Sequence, residues 1–343
     1  MANMVPKGKF GIALVGLGRS GHFHLTSIES FPDVAQLQWV VDVDADRASK
    51  IASRMGCSWS TSLDEPLTDP CVDIVVVASS TDTHFPFIVQ SLHAQRAVFT
   101  EKPISHTVSE VQEAVDLALR YRLPFVCGYQ RRYDRNFAMM KKQVDSGCIG
   151  QLKILKSCSR DNPLPPLEYL RTSGGIFQDM LIHDFDMQDW LSDGQMPESV
   201  LAVAHCYNEA LREMGDVDTV ATVAKYASGL IAMTDVCRDA SYGYDQRVEA
   251  FGDKGMLTAK NELTSTVELA TSEGHLMPCA LWSFPDRYKD AYRVELSHFL
   301  ALVRADADSD VRKREERDML RHPRIVHTAT AAHLSCKLQR QVF

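Results

Sequence analysis

The chain has 343 residues, a length that suits about two domains of average size. Hydrophobic residues make up 45% of it and charged residues 24%. These values are typical of globular proteins and exclude disordered, collagen-like and low-complexity chains. The 45 Asp and Glu outnumber the 37 Lys and Arg, which gives a net charge of −8. This balance offers no electrostatic footprint for nucleic acid or for an anionic membrane surface.

The nine cysteines are scattered along the chain, and no two of them have the spacing of a CxxC pair. This pattern is typical of free thiols in a reducing compartment and excludes a thiolate metal site. No apolar run reaches the roughly 18 residues of a membrane span, and the run after Lys9 is too short for a signal peptide. We therefore predict a cytoplasmic protein without a bound metal.

In the first third of the chain, strand patterns alternate with helix patterns. The clearest strand is the β-branched run Val72–Ala78, and the clearest helix follows Thr107, which has the spacing of a capping box with Glu110. This alternation predicts a doubly wound parallel sheet covered on both faces, in a first domain of residues 1–127. The other predicted strands are Phe10–Val15, Leu37–Val41, Ala97–Thr100 and Pro124–Cys127.

From about residue 150, strand-like segments follow one another. Consecutive strands predict a mostly antiparallel sheet in a second domain, residues 128–343, whose C-terminal helices are free to pack back on the first domain. Helices are predicted at about 175–191, 290–304 and 325–340. Between the last two, charges of both signs alternate over 304–324, which indicates a solvated segment. The predicted strands are Gln151–Ser159, Ser199–Tyr207, Thr219–Tyr226, Leu230–Cys237, Arg247–Phe251 and Thr264–Ala270.

The segment Gly16-Leu17-Gly18-Arg19-Ser20-Gly21 follows the first predicted strand and opens a helix. In such a GxGxxG segment the first glycine permits a tight turn and the second lets the backbone approach a pyrophosphate. The third lets the helix pack against the strand, and the helix N-terminus offers N–H groups and a positive dipole to the phosphates. We predict that this segment, including Arg19 and Ser20, binds a dinucleotide.

Asp42 ends the second predicted strand, 21 residues after Gly21. An acidic residue at this position accepts hydrogen bonds from the ribose hydroxyls and repels a 2′-phosphate, so NAD is favoured over NADP. Arg19 leaves NADP as an alternative cofactor, because a cation in the loop can pair with either the pyrophosphate or a 2′-phosphate. Asp44 and Asp46 add negative charge nearby and favour the pyrophosphate.

Small hydroxyl side chains follow the buried strand Val72–Ala78. Ser79, Ser80 and Thr81 stand at its carboxyl end, the edge at which parallel sheets bind ligands. We include them in the predicted cofactor site. The alternative is that they simply cap the next helix.

Lys102 ends a predicted strand and precedes Pro103. A residue before proline adopts extended geometry, which fixes the direction of its side chain. From the pattern alone, Lys102 is either a functional lysine or one of many surface lysines.

Asp179 and His183 are four residues apart in the helix predicted at about 175–191, so one helical face would carry both, and Asp186 continues that face. A histidine beside a carboxylate is a common way to hold an imidazole as a base near neutral pH. A surface Asp–His pair is the alternative.

Four segments that occur in order carry a resemblance to a known family. They are the glycine-rich loop, Glu101-Lys102-Pro103, Gly128-Tyr129-Gln130-Arg131-Arg132-Tyr133-Asp134, and the stretch 175–187 with its Asp179 and His183. Over residues 8–305 the chain resembles the Gfo/Idh/MocA oxidoreductases, and among them the inositol 2-dehydrogenases. The resemblance implies a Rossmann domain followed by an α/β domain with a large open sheet, through which a homodimer or homotetramer would form.

The resemblance also implies which residues contact the ligands. Lys102 would contact both the nicotinamide and the reacting oxygen, and Asp179 and His183 would bind the substrate hydroxyl and remove its proton. His84 and Glu101 join the predicted cofactor site.

Arg131 and Asn162 would lie near the substrate. Asn162 belongs to the run Arg160-Asp161-Asn162-Pro163, which lacks the histidine that inositol dehydrogenases commonly have there. The identity of the polyol therefore stays open.

These implications predict NAD-dependent oxidation of a secondary hydroxyl of a cyclic polyol, foremost myo-inositol to 2-keto-inositol (scyllo-inosose). His183 would take the proton, Asp179 would orient the substrate, and Lys102 would stabilise the developing alkoxide. The alternatives within this class are another inositol isomer, a sugar or a trans-dihydrodiol. The alternative of another class is a non-catalytic dinucleotide-binding regulator, which the presence of Lys102, Asp179 and His183 disfavours.

Overall fold

The computed structural model describes residues 8–343 of the chain, which form two compact units. The first unit contains the residues up to Gln130 together with Asp290–Pro323, and the second contains Arg131–Lys289 together with Arg324–Phe343. The domain boundary predicted between residues 127 and 128 stays a prediction, because compact units do not by themselves define domains.

A parallel sheet of six strands forms the centre of the first unit. Its strands are β1 (Phe10–Val15), β2 (Ala35–Val41), β3 (Ser58–Ser60), β4 (Ile74–Val77), β5 (Ala97–Glu101) and β6 (Phe125–Gly128). The helices between them are α1 (Arg19–Glu29), α2 (Ala45–Met55), α3 (Asp64–Thr68), α4 (His84–His93) and α5 (Val108–Tyr121). The strand order is β3-β2-β1-β4-β5-β6 and every pairing is parallel, which confirms the predicted doubly wound sheet.

The strands β1, β4 and β5 are buried along their whole length. Continuous apolar strands such as Ile74–Val77 form where helices cover both faces of a parallel sheet. The order of the strands reverses between β1 and β4, and ligands of such sheets bind at this point, beyond the carboxyl ends of the strands. The glycine-rich loop follows β1 at this edge.

The start of α5 differs from the prediction. The capping box of Thr107 and Glu110 is wrong, because the Ser105 hydroxyl contacts the Glu110 carboxylate and accepts the Thr107 N–H at 3.1 Å. Ser105 precedes the helix by three residues, and its hydroxyl accepts the Thr107 N–H in place of the Glu110 carboxylate, while the Thr107 side chain caps no N–H of the helix.

A second sheet of six strands forms the centre of the second unit. Its strands are β7 (Leu152–Arg160), β8 (Pro197–His205), β9 (Thr219–Tyr226), β10 (Ile231–Cys237), β11 (Asp245–Gly252) and β12 (Met256–Ala259). The helices are α6 (Arg135–Asp145), α7 (Leu167–Thr172), α8 (Gly175–Asp179), α9 (Leu181–Leu191) and α10 (Glu209–Glu213). The order is β12-β11-β7-β10-β9-β8, and all pairs except β7–β10 are antiparallel, which confirms a mostly antiparallel sheet.

One face of this second sheet is open. Side chains alternate along its strands between buried and exposed positions, as they do when only one face of a sheet is covered. The register places Leu201, Val223 and Met233 side by side on three neighbouring strands. The exposed large apolar residues of the sheet include Leu201, Val203, Val223, Ile231 and Phe251. We call this surface the open face.

Two elements of the second unit differ from the prediction. The helix predicted at about 175–191 is two helices, α8 and α9, with Met180 between them. The strand predicted at Thr264–Ala270 is only the short β13 (Leu269–Thr271), which pairs with β14 (Gly274–Leu276). The residues of β13 and β14 are exposed, so this segment lacks the buried face that would stabilise a longer strand.

The chain ends in three helices, α11 (Phe284–Arg304), α12 (Asp310–Met319) and α13 (His322–Leu338). Four side chains of α11 join the core of the first unit, namely Leu296, Phe299, Leu300 and Leu302. Near the chain end, Val342 forms an antiparallel bridge with Val200 at the edge of β8. None of the helices within residues 8–343 is long and apolar enough to cross a membrane.

Candidate active site

The glycine-rich loop has the backbone that a dinucleotide requires. Gly16 has φ +89°, and a Cβ there would lie 2.5 Å from the backbone nitrogen of Ser79. A Cβ on Gly21 would lie 2.1 Å from the Gly16 carbonyl oxygen, so α1 packs directly against the loop. A Cβ on Gly18 would meet no described atom within 4 Å. This space, in front of the first turn of α1, fits a pyrophosphate group.

Asp42 ties the loop to the end of β2. Its Oδ2 accepts the Leu17 N–H at 2.8 Å, and its Oδ1 accepts the Asp44 N–H at 2.9 Å. The Arg47 guanidinium donates to both oxygens at 3.3 and 3.4 Å. Arg47 was not among the predicted site residues, and its charge partly neutralises the carboxylate. The predicted contact of Asp42 with ribose stays a prediction.

The hydroxyl segment after β4 is held in a compact turn. Thr81 begins this short turn, and the Thr83 hydroxyl lies 2.7 Å from both the Ser79 Oγ and the Ser80 carbonyl oxygen. The turn places Ser79 beside Gly16, at the carboxyl edge of the sheet. This is the location predicted for the cofactor site.

Two buried groups hold the backbone on either side of Lys102. His84 has its Nδ1 2.7 Å from the Pro103 carbonyl oxygen and its Nε2 3.1 Å from the Ser79 carbonyl oxygen. Glu101 Oε1 lies 2.8 Å from His24 Nε2. His84 and Glu101 therefore link the Lys102 loop to the neighbouring elements.

Burial shifts the proton affinities of these two groups in different ways. It lowers the pKa of His84, because the imidazolium is desolvated. Burial also opposes the ionisation of Glu101, but the contact with His24 outweighs it and holds the pKa of Glu101 below its usual value. Glu101 is thus a buried anion immediately before Lys102.

In the second unit, Asp179 is the last residue of α8 and His183 lies in the first turn of α9. Both are buried, with 8% of each residue exposed. The Asp179 Oδ1 accepts the Tyr169 hydroxyl at 2.6 Å, and its Oδ2 accepts Nη1 of Arg238 at 2.9 Å. Both oxygens of this carboxylate are therefore oriented by named donors.

Arg238 joins the two ends of α8. Its Nη2 donates to Asp216 Oδ2 at 3.3 Å, and Asp216 Oδ1 accepts the Ile176 N–H at 3.1 Å. Burial opposes the charge of Arg238, but the carboxylates of Asp179 and Asp216 raise its pKa. A Cβ on Gly175 would lie 3.1 Å from Asp216 Oδ1, so glycine at this position lets Asp216 approach.

A second ion pair anchors α9 to the sheet. Arg131 Nη1 donates to Asp184 Oδ1 and to the Ser159 hydroxyl, both at 3.1 Å, and the Ser159 hydroxyl donates to Asp184 at 2.6 Å. Asp184 is fully buried and directly follows His183 in the chain. The ion pair thus anchors α9 at the residue next to His183.

Asn162 is buried and donates from Nδ2 to the Trp282 carbonyl oxygen at 3.1 Å. Like Asp179, His183 and Arg131, it belongs to the second unit, whereas the glycine-rich loop, Asp42 and Lys102 belong to the first. The predicted assignments of Arg131 and Asn162 to the substrate stay predictions.

Tyr169, Asp216 and Arg238 were not among the predicted site residues. The three are separated from Asp179 by 10, 37 and 59 positions, so no local spacing relates them to it. The one usable signal is that Arg238 directly follows the predicted strand Leu230–Cys237, at a strand end where polar side chains often serve a site.

Comparison with known proteins adds an independent line of evidence. Residues 10–129 match the Gfo/Idh/MocA oxidoreductase family, NAD-binding Rossmann fold, and residues 137–258 match the Gfo/Idh/MocA C-terminal domain. The myo-inositol 2-dehydrogenase of Thermotoga maritima is 37% identical over 295 residues, which cover 86% of this chain and 88% of that protein. The inositol 2-dehydrogenase of Rhizobium meliloti is 36% identical over 301 residues, which cover 88% of this chain and 90% of that protein.

A solved structure is similar along nearly the whole chain. The scyllo-inositol dehydrogenase of Lactobacillus casei, crystallised with NAD(H) and scyllo-inositol, has a TM-score of 0.87 at 26% identity. The match covers 97% of this chain and 98% of that chain.

Proposed function

We propose that this chain, which belongs to the Gfo/Idh/MocA family of NAD-binding oxidoreductases acting on CH–OH groups, oxidises a secondary hydroxyl of a cyclic polyol. The foremost reaction is the conversion of myo-inositol to 2-keto-inositol (scyllo-inosose). The relatives named for inositol dehydrogenation support this substrate class. The observation that carries the proposal is the placement of Asp179 and His183 at adjoining helix ends, with the Asp179 carboxylate fixed by Tyr169 and Arg238.

Oxidation of an alcohol removes a hydride from carbon and a proton from oxygen, and bound NAD supplies the hydride acceptor. In our proposal His183 takes the proton, and Asp179 orients the substrate hydroxyl and offsets the positive charge of the imidazolium. Lys102 provides a cation for the developing alkoxide. Arg131 and Asn162 complete the proposed substrate site.

The proposed cofactor site consists of the glycine-rich loop with Arg19 and Ser20, Asp42, the hydroxyl turn of Ser79, Ser80 and Thr81, and the Lys102 loop with His84 and Glu101. The open space at Gly18 supports it, because the backbone there can face phosphate oxygens. NAD is the proposed cofactor, with NADP disfavoured by the Asp42 carboxylate.

We test this function with purified protein, NAD or NADP, and a panel of inositol isomers, sugars and trans-dihydrodiols. We expect NAD reduction with myo-inositol, and replacement of His183 by Ala should lower kcat/KM by about 10²- to 10⁴-fold, the usual contribution of a general base. His205→Ala, at an exposed position of β8, is the control.

Two outcomes would contradict the proposal. Turnover that is nearly unchanged in His183→Ala would exclude this residue as the base. Tight dinucleotide binding without turnover of any compound in the panel would instead favour a regulator.

We also propose that a second copy of the chain covers the open face. A dimer or tetramer through this sheet would bury the neighbouring rows Leu201–Val223–Met233 and Ile231–Ile154–Phe251. Contiguous exposed apolar surface of this kind marks a site of protein association.

A cytoplasmic location fits the cysteines. All nine are free thiols in the structure, as is usual in a reducing compartment. We therefore propose the cytoplasm as the location of the enzyme.

A further inference from the structure

Arg238 is a fully buried cation placed between two carboxylates. Its guanidinium contacts Asp179 at 2.9 Å and Asp216 at 3.3 Å, and its side chain has no exposed surface. One guanidinium between two carboxylates leaves an excess of one negative charge in this cluster. A charge that is withdrawn from water acts strongly on its neighbours, because little solvent screens it.

The cluster is rigidly connected to the helix that carries Asp179. Asp216 binds the Ile176 N–H in the first turn of α8, while Arg238 holds Asp179 at its last residue. The Arg238 N–H donates to the Asp218 carbonyl oxygen at 2.9 Å, which ties the arginine to the start of β9. The backbone of Arg238 and, through Asp216, its guanidinium therefore each have a partner other than Asp179.

Other polar groups also face this cluster. The Asp161 carboxylate adds a further negative charge that acts on Arg238, and the Tyr169 hydroxyl donates to Asp179. Since Tyr169 is a neutral donor, the charges among these named groups are those of Asp161, Asp216 and Arg238.

We propose that Arg238 and Asp216 set the proton affinity of the Asp179–His183 pair, and that they are positioning residues for proton transfer. Arg238 keeps Asp179 ionised, so that His183 rather than the carboxylate accepts the substrate proton. Asp216 limits this effect, since its negative charge prevents the guanidinium from lowering the basicity of the imidazole too far. This inference rests on the proposed function, because it assigns the pair to proton transfer.

Removing the charge of Arg238 and removing the charge of Asp216 should shift the pH of proton uptake by the pair in opposite directions. A purely structural role would not produce this result. Loss of the positive charge in Arg238→Gln should raise, by about one pH unit, the pH at which the pair takes up its first proton. Loss of the negative charge in Asp216→Asn should lower that pH, while the amide oxygen can still accept the Ile176 N–H. Arg238→Lys keeps the charge and should leave the pH close to that of the wild type.

The proton uptake is measured in the cofactor-free protein by NMR titration of the His183 imidazole, and in the enzyme by the acidic limb of kcat/KM. In Arg238→Gln we expect kcat/KM at pH 7 to fall by about 10²-fold, as for other misplaced catalytic groups. Arg287→Gln is the matched control, because Arg287 is also a buried arginine between two carboxylates, Asp134 and Glu262, in the same unit. It should leave the titration of His183 unchanged.

The proposal is overturned if the folded Arg238→Gln or Asp216→Asn protein titrates like the wild type, or if both shift in the same direction. If Arg238→Gln does not fold, Asp216→Asn alone decides, since an unchanged or raised midpoint contradicts the proposal. The NMR titration needs no turnover. A protein without polyol activity but with opposite shifts would therefore refute the proposed function and leave the electrostatic assignment intact.

Discussion

At the scale of single residues, His24 and Glu101 form a polar contact in an otherwise apolar setting. The His24 ring lies 5.1 Å from the ring of Phe99 and 6.0 Å from that of Tyr292, in edge-on geometry. His24 belongs to α1, the helix after the glycine-rich loop, and Glu101 ends β5 next to Lys102. This contact therefore couples the position of the proposed phosphate site to that of the proposed catalytic lysine.

Replacement of His24 by Leu should lower the free energy of unfolding by about 3–5 kcal/mol, because it leaves the Glu101 charge buried without this partner. Urea unfolding of the purified protein measures the loss. Glu29→Gln, at an exposed position of α1, is the control. A loss below about 1 kcal/mol for His24→Leu would show that Glu101 gains little from the histidine.

The lowered pKa of Glu101 also predicts how stability depends on pH. Since the folded value lies below the ordinary value of 4.5, the ionised group stabilises the fold fully above pH 4.5. This contribution is lost as the pH falls through the folded pKa. The difference in unfolding free energy between the wild type and Glu101→Gln should accordingly shrink below pH 4.5.

The residue types and spacings found the glycines, Lys102, Asp179 and His183, because each stands in a short motif or at a strand end. They could not find Arg238 or His24. The partners of those residues are 59 and 77 positions away, and only the tertiary fold makes them neighbours. Motifs thus point to the residues proposed to react, whereas the residues proposed to tune them depend on long-range contacts.

At the scale of elements, Gly18 and Gly21 should respond differently to substitution by alanine. Gly21→Ala places a Cβ 2.1 Å from the Gly16 carbonyl oxygen, so α1 must move and the melting temperature should fall by several degrees. Gly18→Ala meets open space and has φ −73°, so its melting temperature should stay close to that of the wild type. It should nevertheless weaken NAD binding, because the methyl group occupies the space proposed for the pyrophosphate.

Thermal unfolding and isothermal calorimetry with NAD test these two substitutions, each as the control of the other. Unweakened NAD binding by a folded Gly18→Ala protein would contradict the assignment of this space to the phosphates.

Strong periodicity predicted most elements closely, whereas the break at Met180 had no local signal. The strand Thr219–Tyr226 has the predicted bounds, since its alternation of buried and exposed residues is complete. Between Asp179 and Leu181 there is neither glycine nor proline. The break instead accompanies the side-chain bonds of Asp179 to Tyr169 and Arg238, which no pattern within the helix reveals.

At the scale of the whole molecule, the open face predicts self-association. Val223→Asp puts a charge in the middle of the proposed interface and should convert the oligomer into a monomer, because an unpaired buried charge is costly. Size-exclusion chromatography with light scattering measures the mass. Val294→Asp is the matched control, as Val294 lies on α11 and is exposed to 42%, compared with 44% for Val223.

A wild-type monomer, or an oligomer that Val223→Asp leaves intact, would contradict this interface.

The alternation of strands and helices predicted the two sheets, but it could not predict which unit each C-terminal helix joins. The pattern of α11 continues without interruption past Asp290, although the compact units divide there.

The first unit consists of two separate parts of the chain, which are synthesised at different times. Ribosomes synthesise proteins from the N-terminus, so the six parallel strands emerge long before Leu296, Phe299, Leu300 and Leu302, which complete their core. After Gly128 ends the last strand, about 170 further residues are translated before the core side chains of α11 are complete. During that interval we expect chaperones to bind the exposed apolar surface of the sheet.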